Sequence, residues 1–131
     1  MATHLAVWAD TVPSAEERKP SSRPVDLVHL SRYTLGERAL EREVLELFCA
    51  QSLVYLARLR DARSDKDWKD AAHSLKGSAT AIGAWRAAEA AQRAEALSGE
   101  MLIAARDLRL RDIEASLREV ETYIGALLKD R

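Results

Sequence analysis

Apolar residues recur along most of this chain at helical spacing, and the interruptions mark where helices begin and end. From Glu37 to about Arg63, Leu40, Val44, Leu47 and Val54 form one stripe, and Leu45, Phe48, Tyr55 and Leu59 form the adjacent one. Two neighbouring stripes predict a helix buried over a wide face. Ser64-Asp65 follows as a turn with a side chain suited to capping the next helix. Over Asp65 to Ile82, the residues Trp68, Ala72, Leu75, Ala79 and Ile82 are spaced by 4, 3, 4 and 3, the seam of a bundle helix. Gly83 interrupts it. Ala84 to Leu97 predicts a helix whose inward positions, Ala87, Ala88, Ala91 and Ala94, are small enough to let helix axes approach closely. Ser98-Gly99 ends it with a C-terminal glycine signal. From near Met101 a last helix carries Leu110, Ile113, Leu117, Val120, Ile124 and Leu127 at spacings of 3, 4, 3, 4 and 3. Ahead of all these, Pro24 and Asp26 introduce a short helix, DLVHLSRYT, which Gly36 breaks.

No segment alternates with the period of a strand. The pattern therefore predicts an all-α fold: an antiparallel four-helix bundle with a short additional N-terminal helix. Residues 24–131 are assigned to the bundle and residues 1–23 to a flexible N-terminal arm, which carries Pro13 and Pro20 in the stretch VPSAEERKPSSRP, without an apolar period, leading up to Pro24. Within the arm, Leu5-Ala6-Val7-Trp8 is a short apolar run suited to packing on the domain or on a partner. A chain of 131 residues suits one domain. Seams that close their own core predict a monomer.

Composition narrows the function classes. A net charge of −1 offers no electrostatic reason to expect nucleic acid or an anionic membrane as the main partner. No apolar run approaches the roughly 20 residues of a membrane span. The start MATHLAVWADTV lacks the basic flank and long apolar stretch of a signal peptide. One cysteine, Cys49, forms no internal disulfide and fits the reducing cytoplasm, packed as a small core residue. These features predict a cytoplasmic protein.

The candidate chemistry lies in AAHSLKGSATAIGA, residues 71–84. His73 falls one position off the seam through Ala72 and Leu75. At 100° per residue, Lys66, Lys69, Asp70, Lys76, Gly77 and Thr80 share its outward face. Ammonium groups around an imidazole repel a metal cation, so no metal site is expected. They favour an anion instead, and Lys76 is placed to offset the charge of a phosphoryl group on the ring. Gly77 costs a helix about 1 kcal/mol relative to alanine. Its lack of a side chain would open a path for another protein to reach the ring; a role in helix packing is the alternative. Gly83 reads as structural, ending a helix or allowing a close contact. His4 and His29 have no motif around them, and Trp85 suits either the core or a partner surface.

His73-Ser74-Leu75-Lys76-Gly77-Ser78-Ala79, followed by Ile82-Gly83-Ala84, resembles the signature of the histidine-containing phosphotransfer (HPt) domains of bacterial two-component phosphorelays. Leu47-Phe48 resembles that family's leucine-phenylalanine pair, and Glu95 stands where its members often have an acidic residue. The resemblance spans roughly residues 25 to 128. Ala87, Ala91 and Ala94 depart from it, since larger apolar residues or cysteine are usual there. The resemblance implies that His73 is the phosphoacceptor, through the ring nitrogen farther from the backbone. Lys76 would stabilise the phosphoryl group, and Gly77 and Gly83 would serve close approach and structure. Lys66, Lys69, Asp70 and Thr80 are candidate receiver contacts. The partners implied are response-regulator receiver domains and an upstream hybrid histidine kinase. No cofactor is intrinsic, and Mg2+ would be supplied by the receiver.

Two other readings stand beside this one. A kinase dimerisation helix usually has an acidic residue directly after its histidine; here Ser74 follows, and the chain lacks glycine-rich ATP-binding segments. A phosphotransfer domain cut from a larger chemotaxis-type or hybrid kinase would still look like this chain. In a non-phosphorylated helical adaptor, His73 would be dispensable.

Overall fold

Four turns of three residues each, 35–37, 62–64, 82–84 and 96–98, separate five helices. These are α1 (Leu27–Thr34), α2 (Arg38–Asp61), α3 (Asp65–Ala81), α4 (Trp85–Glu95) and α5 (Gly99–Lys129). The computed structural model describes residues 23–130, and every regular element among them is helical. Connections this short force sequential helices to run antiparallel. The arm assigned to residues 1–23 lies outside the described residues except for Arg23.

Local chemistry sets the helix ends. The Asp26 carboxylate accepts from the His29 N–H at 3.1 Å and starts α1, which stops at Leu35 and Gly36, both with positive φ. Ser64 caps α3 by accepting from the Asp67 N–H at 3.1 Å, as its position before the seam predicts. At the other end of α3, the Ala84 N–H reaches the Ala79 carbonyl and the Gly83 N–H reaches that of Thr80. This is a Schellman closure, and it needs Gly83 at φ +74°. The last carbonyls of α2 find their donor in another helix: Arg106 of α5 donates to Leu59 and Arg60 at 2.9 and 3.0 Å. Gly99 differs from its prediction. It opens α5 rather than ending α4, because its N–H is held by the Asp65 carboxylate at 2.9 Å.

The predicted seams of α3, α4 and α5 form the core. Trp68, Ala72, Leu75, Ala79 and Ile82 meet Ala87, Ala88, Ala91 and Ala94 from α4 and Ile113, Leu117, Val120 and Ile124 from α5, all buried. Leu110 and Leu127 pack at its edge, as does Cys49, whose thiol burial and the carboxylates of Glu121 and Glu46 push up. The expectation of a wide buried face on α2 is corrected. Leu45, Phe48, Ser52, Leu56 and Leu59 are buried, whereas Leu40, Leu47 and Val54 are 38%, 56% and 49% exposed. The reason is neighbour count: α3 and α5 cover the inner side of α2, and α1 reaches only its beginning.

Helix α1 clasps the turn between α3 and α4. The Asp26 N–H donates to the Gly83 carbonyl at 3.0 Å, and the Asp26 carboxylate accepts from Trp85 Nε1 at 3.1 Å. Trp85 thus belongs to the clasp, half-buried with its ring 4.9 Å from that of His29. Thr34 Oγ1 donates to Glu41 at 3.1 Å and ties the far end of α1 to α2. A Cβ at Gly83 would lie 2.7 Å from that of Asp26, whereas one at Gly36 would meet nothing within 4 Å. Gly36→Ala is expected to cost about 1–2 kcal/mol from its left-handed backbone alone. Gly83→Ala adds a clash with backbone and is expected to cost about 3 kcal/mol or more. Urea unfolding midpoints test the order.

His29 gives the clasp a pH dependence. Burial pushes its imidazole below the ordinary 6.5, with Arg32 in the same direction and Asp26 and the Thr80 carbonyl opposing. A base depressed in the folded state leaves full stability above pH 6.5, and stability is lost as pH falls through the folded value. His29→Phe is expected to flatten that part of the stability curve measured by urea titrations between about pH 7 and 5.

Candidate functional site

His73 stands on the outer side of α3, its side chain 72% exposed. The group nearest its ring comes from another helix. Glu95, the last residue of α4, places Oε2 2.8 Å from Nδ1 of His73, and its Oε1 lies 3.9 Å from Nζ of Lys76. Packing delivers this carboxylate. Ala72 of α3 and Ala91 and Ala94 of α4 are fully buried, and Trp68 Nε1 donates to the Ala94 carbonyl at 2.7 Å. That bond sets the end of α4 one turn along α3 from Ala72, beside His73.

A carboxylate oxygen only accepts, so Nδ1 is the donor to Glu95 in this contact. In the neutral form of a ring so held, the lone pair lies on Nε2. An imidazole held in one tautomer with the distal nitrogen unprotonated is a nucleophile, and a carboxylate behind it stabilises the positive charge that develops when the ring attacks.

The face of lysines expected around the ring is revised. Lys66 is engaged by Asp70 at 2.6 Å, an exposed pair that raises the ammonium's pKa. Lys76 reaches into the cleft between α3 and α4, towards Glu95. Lys69 is exposed on the same side of α3, and Thr80 is half-buried near the helix end. Gly77 is exposed, and a Cβ built on it would meet nothing within 4 Å. Packing among the described residues therefore does not account for this glycine. Gly83, in contrast, is buried against Asp26 and far from the ring along the chain.

A hollow of about 590 Å3 opens between α2 and α3, with Val54, Ala57 and Ala71 as apolar lining and Asp67, Asp70 and Ser74 at the α3 side. Leu47 and Val54 leave apolar surface exposed on α2. Among the described residues, no three His, Cys, Asp or Glu side chains gather to hold a metal ion, and no helix is long and apolar enough to cross a membrane. Glu95 is the functional candidate that spacing did not single out. It lies 22 residues from His73 in an alanine-rich helix, and only its correspondence with an acidic position in the resembling family signalled it.

A family model for the Hpt domain matches residues 43–129. The chain belongs to the Hpt domain family. Hpt domains carry phosphoryl groups on a histidine in two-component systems, exchange them with histidine kinases and receiver domains, and are not kinases themselves. The match runs from α2 to the end of α5, so α1 and Asp26 lie ahead of it. No curated protein and no solved structure gives a significant match to this Hpt domain. Of the three histidines in the chain, His73 alone falls within the matched segment.

The tautomer is directly testable. Two-bond nitrogen–proton NMR correlations of His73 are expected to show a protonated Nδ1 and an unprotonated Nε2 at pH 7.5 or so. In Glu95→Ala the two tautomers are expected to mix, with the amide spectrum of the core unchanged.

Proposed function

We propose that this Hpt domain relays a phosphoryl group between aspartates of receiver domains through Nε2 of His73. The observation that carries the reading is the position of that ring: the one histidine of the matched segment, exposed, and backed at Nδ1 by Glu95. In the forward step the Nε2 lone pair attacks the phosphorus of an aspartyl phosphate. The N–P bond forms, the P–O bond to the aspartate breaks, and the carboxylate leaves with its electron pair. The proton on Nδ1 stays against Glu95, which balances the positive charge of the substituted ring. Lys76 sits one helical turn along to offset the phosphoryl charge. The reverse step returns the group to a second receiver. Positioning and charge stabilisation carry such a transfer. Mg2+ and the remaining catalytic groups belong to the receiver.

The receiver's docking surface in this reading takes in the hollow between α2 and α3, the exposed Leu47 and Val54 of α2, and Lys66, Lys69, Asp70 and Thr80 of α3. Open space over Gly77 admits the partner's loop to the ring. A hybrid histidine kinase stands upstream, and the domain works as a monomer in the bacterial cytoplasm.

Incubation with phosphorylated receiver domains of the source organism and Mg2+ tests this. Acid-labile, base-stable label is expected on the wild type and none on His73→Ala. Gly77→Leu is expected to slow receiver transfer about tenfold or more, the loss a misplaced reacting group brings. Its labelling by the small donor phosphoramidate should stay unchanged, because that donor needs no docking surface. Label on His73→Ala, or no label on the wild type from any receiver, would sink the reading and favour an adaptor.

A further inference from the structure

Helix α5 has a second line of residues spaced alternately by 3 and 4, on the face opposite its core seam. The first half of this line holds Met101, Ala104, Leu108 and Arg111, and the second half holds Ala115, Arg118, Thr122 and Gly125, all exposed. Such spacing is that of a seam between helices, yet the neighbours of α5 stand to either side of it. Helix α2 is tied to one flank by Arg60 and Glu114 at 3.3 Å, and α4 to the other by Arg86 and Glu119 at 3.2 Å. Two large apolar side chains are left in the open, Met101 at 67% exposure and Leu108 at 54%.

The two halves differ in relief. Leu108 projects from the first. In the second, the small Ala115 and Thr122 leave a groove of about 510 Å3, walled by Tyr123 and Pro24. A second copy of α5, laid antiparallel with its twofold axis at the level of residue 113, fits the one into the other. Leu108 of each copy then lies midway between Ala115 and Thr122 of the other, Ala104 lies opposite Thr122, and Met101 lies over Gly125. Each contact is made twice, as an isologous interface requires. A parallel pair would set Leu108 against Leu108 and leave both grooves empty.

Charge selects the same arrangement. Along the flank towards α2, Glu100 and Asp107 stand in the first half, and Arg118 and Lys129 in the second. Among the described residues these four make no ion pair within the chain. The acidic residues of the other flank, Asp112 and Glu119, are already engaged by Arg109 and Arg86. In an antiparallel helix pair each flank faces itself with its direction reversed. Asp107 therefore meets Arg118 of the other copy, Glu100 lies within a turn of Lys129, and Arg111 falls next to Glu114. The charges that the chain leaves unpaired on this flank are the ones a second copy complements.

We propose that two copies of this domain pair antiparallel through the outer face of α5, with Leu108 of each seated in the groove of the other and Asp107 against Arg118 at its rim. Helix α5 packs on α4 and α2, so the pairing leaves α3 open and both His73 rings free to meet a partner. A helix-on-helix contact about 40 Å long lies at or below the lower end of specific interfaces. The domain is therefore single when dilute, as the relay proposed above has it, and pairs as its concentration rises. This inference does not depend on the relay chemistry.

Charge reversal in the full-length chain tests it, with sedimentation equilibrium from dilute to millimolar protein at low salt. The wild type is expected to pass from one copy to two, and amide shifts that grow with concentration are expected at Leu108, Ala115 and Thr122. Asp107→Arg and Arg118→Asp each set like charges face to face, so each is expected to weaken pairing about tenfold or more. Mixing these two variants is expected to restore it, because every 107–118 contact between them is again of opposite sign. Both positions are exposed, and amide spectra of the core report that the variants keep the fold. A wild type that stays single at every concentration would mean a groove left open or filled from within the chain, and would overturn the proposal. Pairing indifferent to both reversals, variants that fail to associate on mixing, or shifts centred on Leu47 and Val54 would overturn it as well.

Discussion

The alanine face of α4 lets its axis lie close against α3, and the distance at which Glu95 meets His73 follows from that approach. Five alanines of α4, each at 8% exposure or less, stand in place of larger side chains that would hold the helices apart. Close packing alone would leave α4 free to slide along α3. The bond from Trp68 Nε1 to the Ala94 carbonyl removes that freedom, because leaving the buried indole N–H without a partner would cost about 1–3 kcal/mol. The three-residue turn at Gly83 fixes the other end of the same pair. A carboxylate on one helix is thereby set 2.8 Å from an imidazole on the next.

Around this pair, charge is distributed differently from what a helical wheel of α3 suggests. A wheel groups Lys66, Lys69 and Lys76 with His73. In three dimensions Asp70 engages Lys66, and Lys76 shares the Glu95 carboxylate with the imidazole. The ring is oriented by an anion and flanked by a cation. That combination suits a nucleophile that gains a negatively charged group and must hold its ring proton while doing so. The domain supplies orientation and charge; the partner that approaches over Gly77 supplies the rest of the chemistry in the reading proposed above.

The remaining elements keep the two central helices in place. Arg106 caps α2 and lies over the Trp68 ring at 5.1 Å, so α5 braces both the end of α2 and the indole that registers α4. Asp26 performs three tasks at once: it caps α1, accepts from Trp85, and packs against Gly83 too closely for any side chain there. Asp26 lies outside the segment matched by the family, yet it holds the turn from which α4 starts.

Much of the fold was legible along the chain because helix periodicity and capping are local. The seams of α3, α4 and α5, the Ser64 cap and the break at Gly83 each depend on residues within a few positions of one another. So does the motif from His73 to Ala84 that carries the family resemblance. Periodicity did not reveal how many neighbours a helix has, which is why Leu40, Leu47 and Val54 read as core and stand exposed. Nor did it reveal contacts between distant residues. Glu95 reaches His73, and Asp26 reaches Gly83, only because α4 and α1 pack where they do. The open space over Gly77 is likewise a property of the packed helices and not of spacing along the chain. By itself the sequence determined the helices, their order and the histidine on which attention falls. Tertiary structure decided which carboxylate that histidine meets and which apolar residues stay uncovered, because both depend on the approach of helices rather than on the spacing within one.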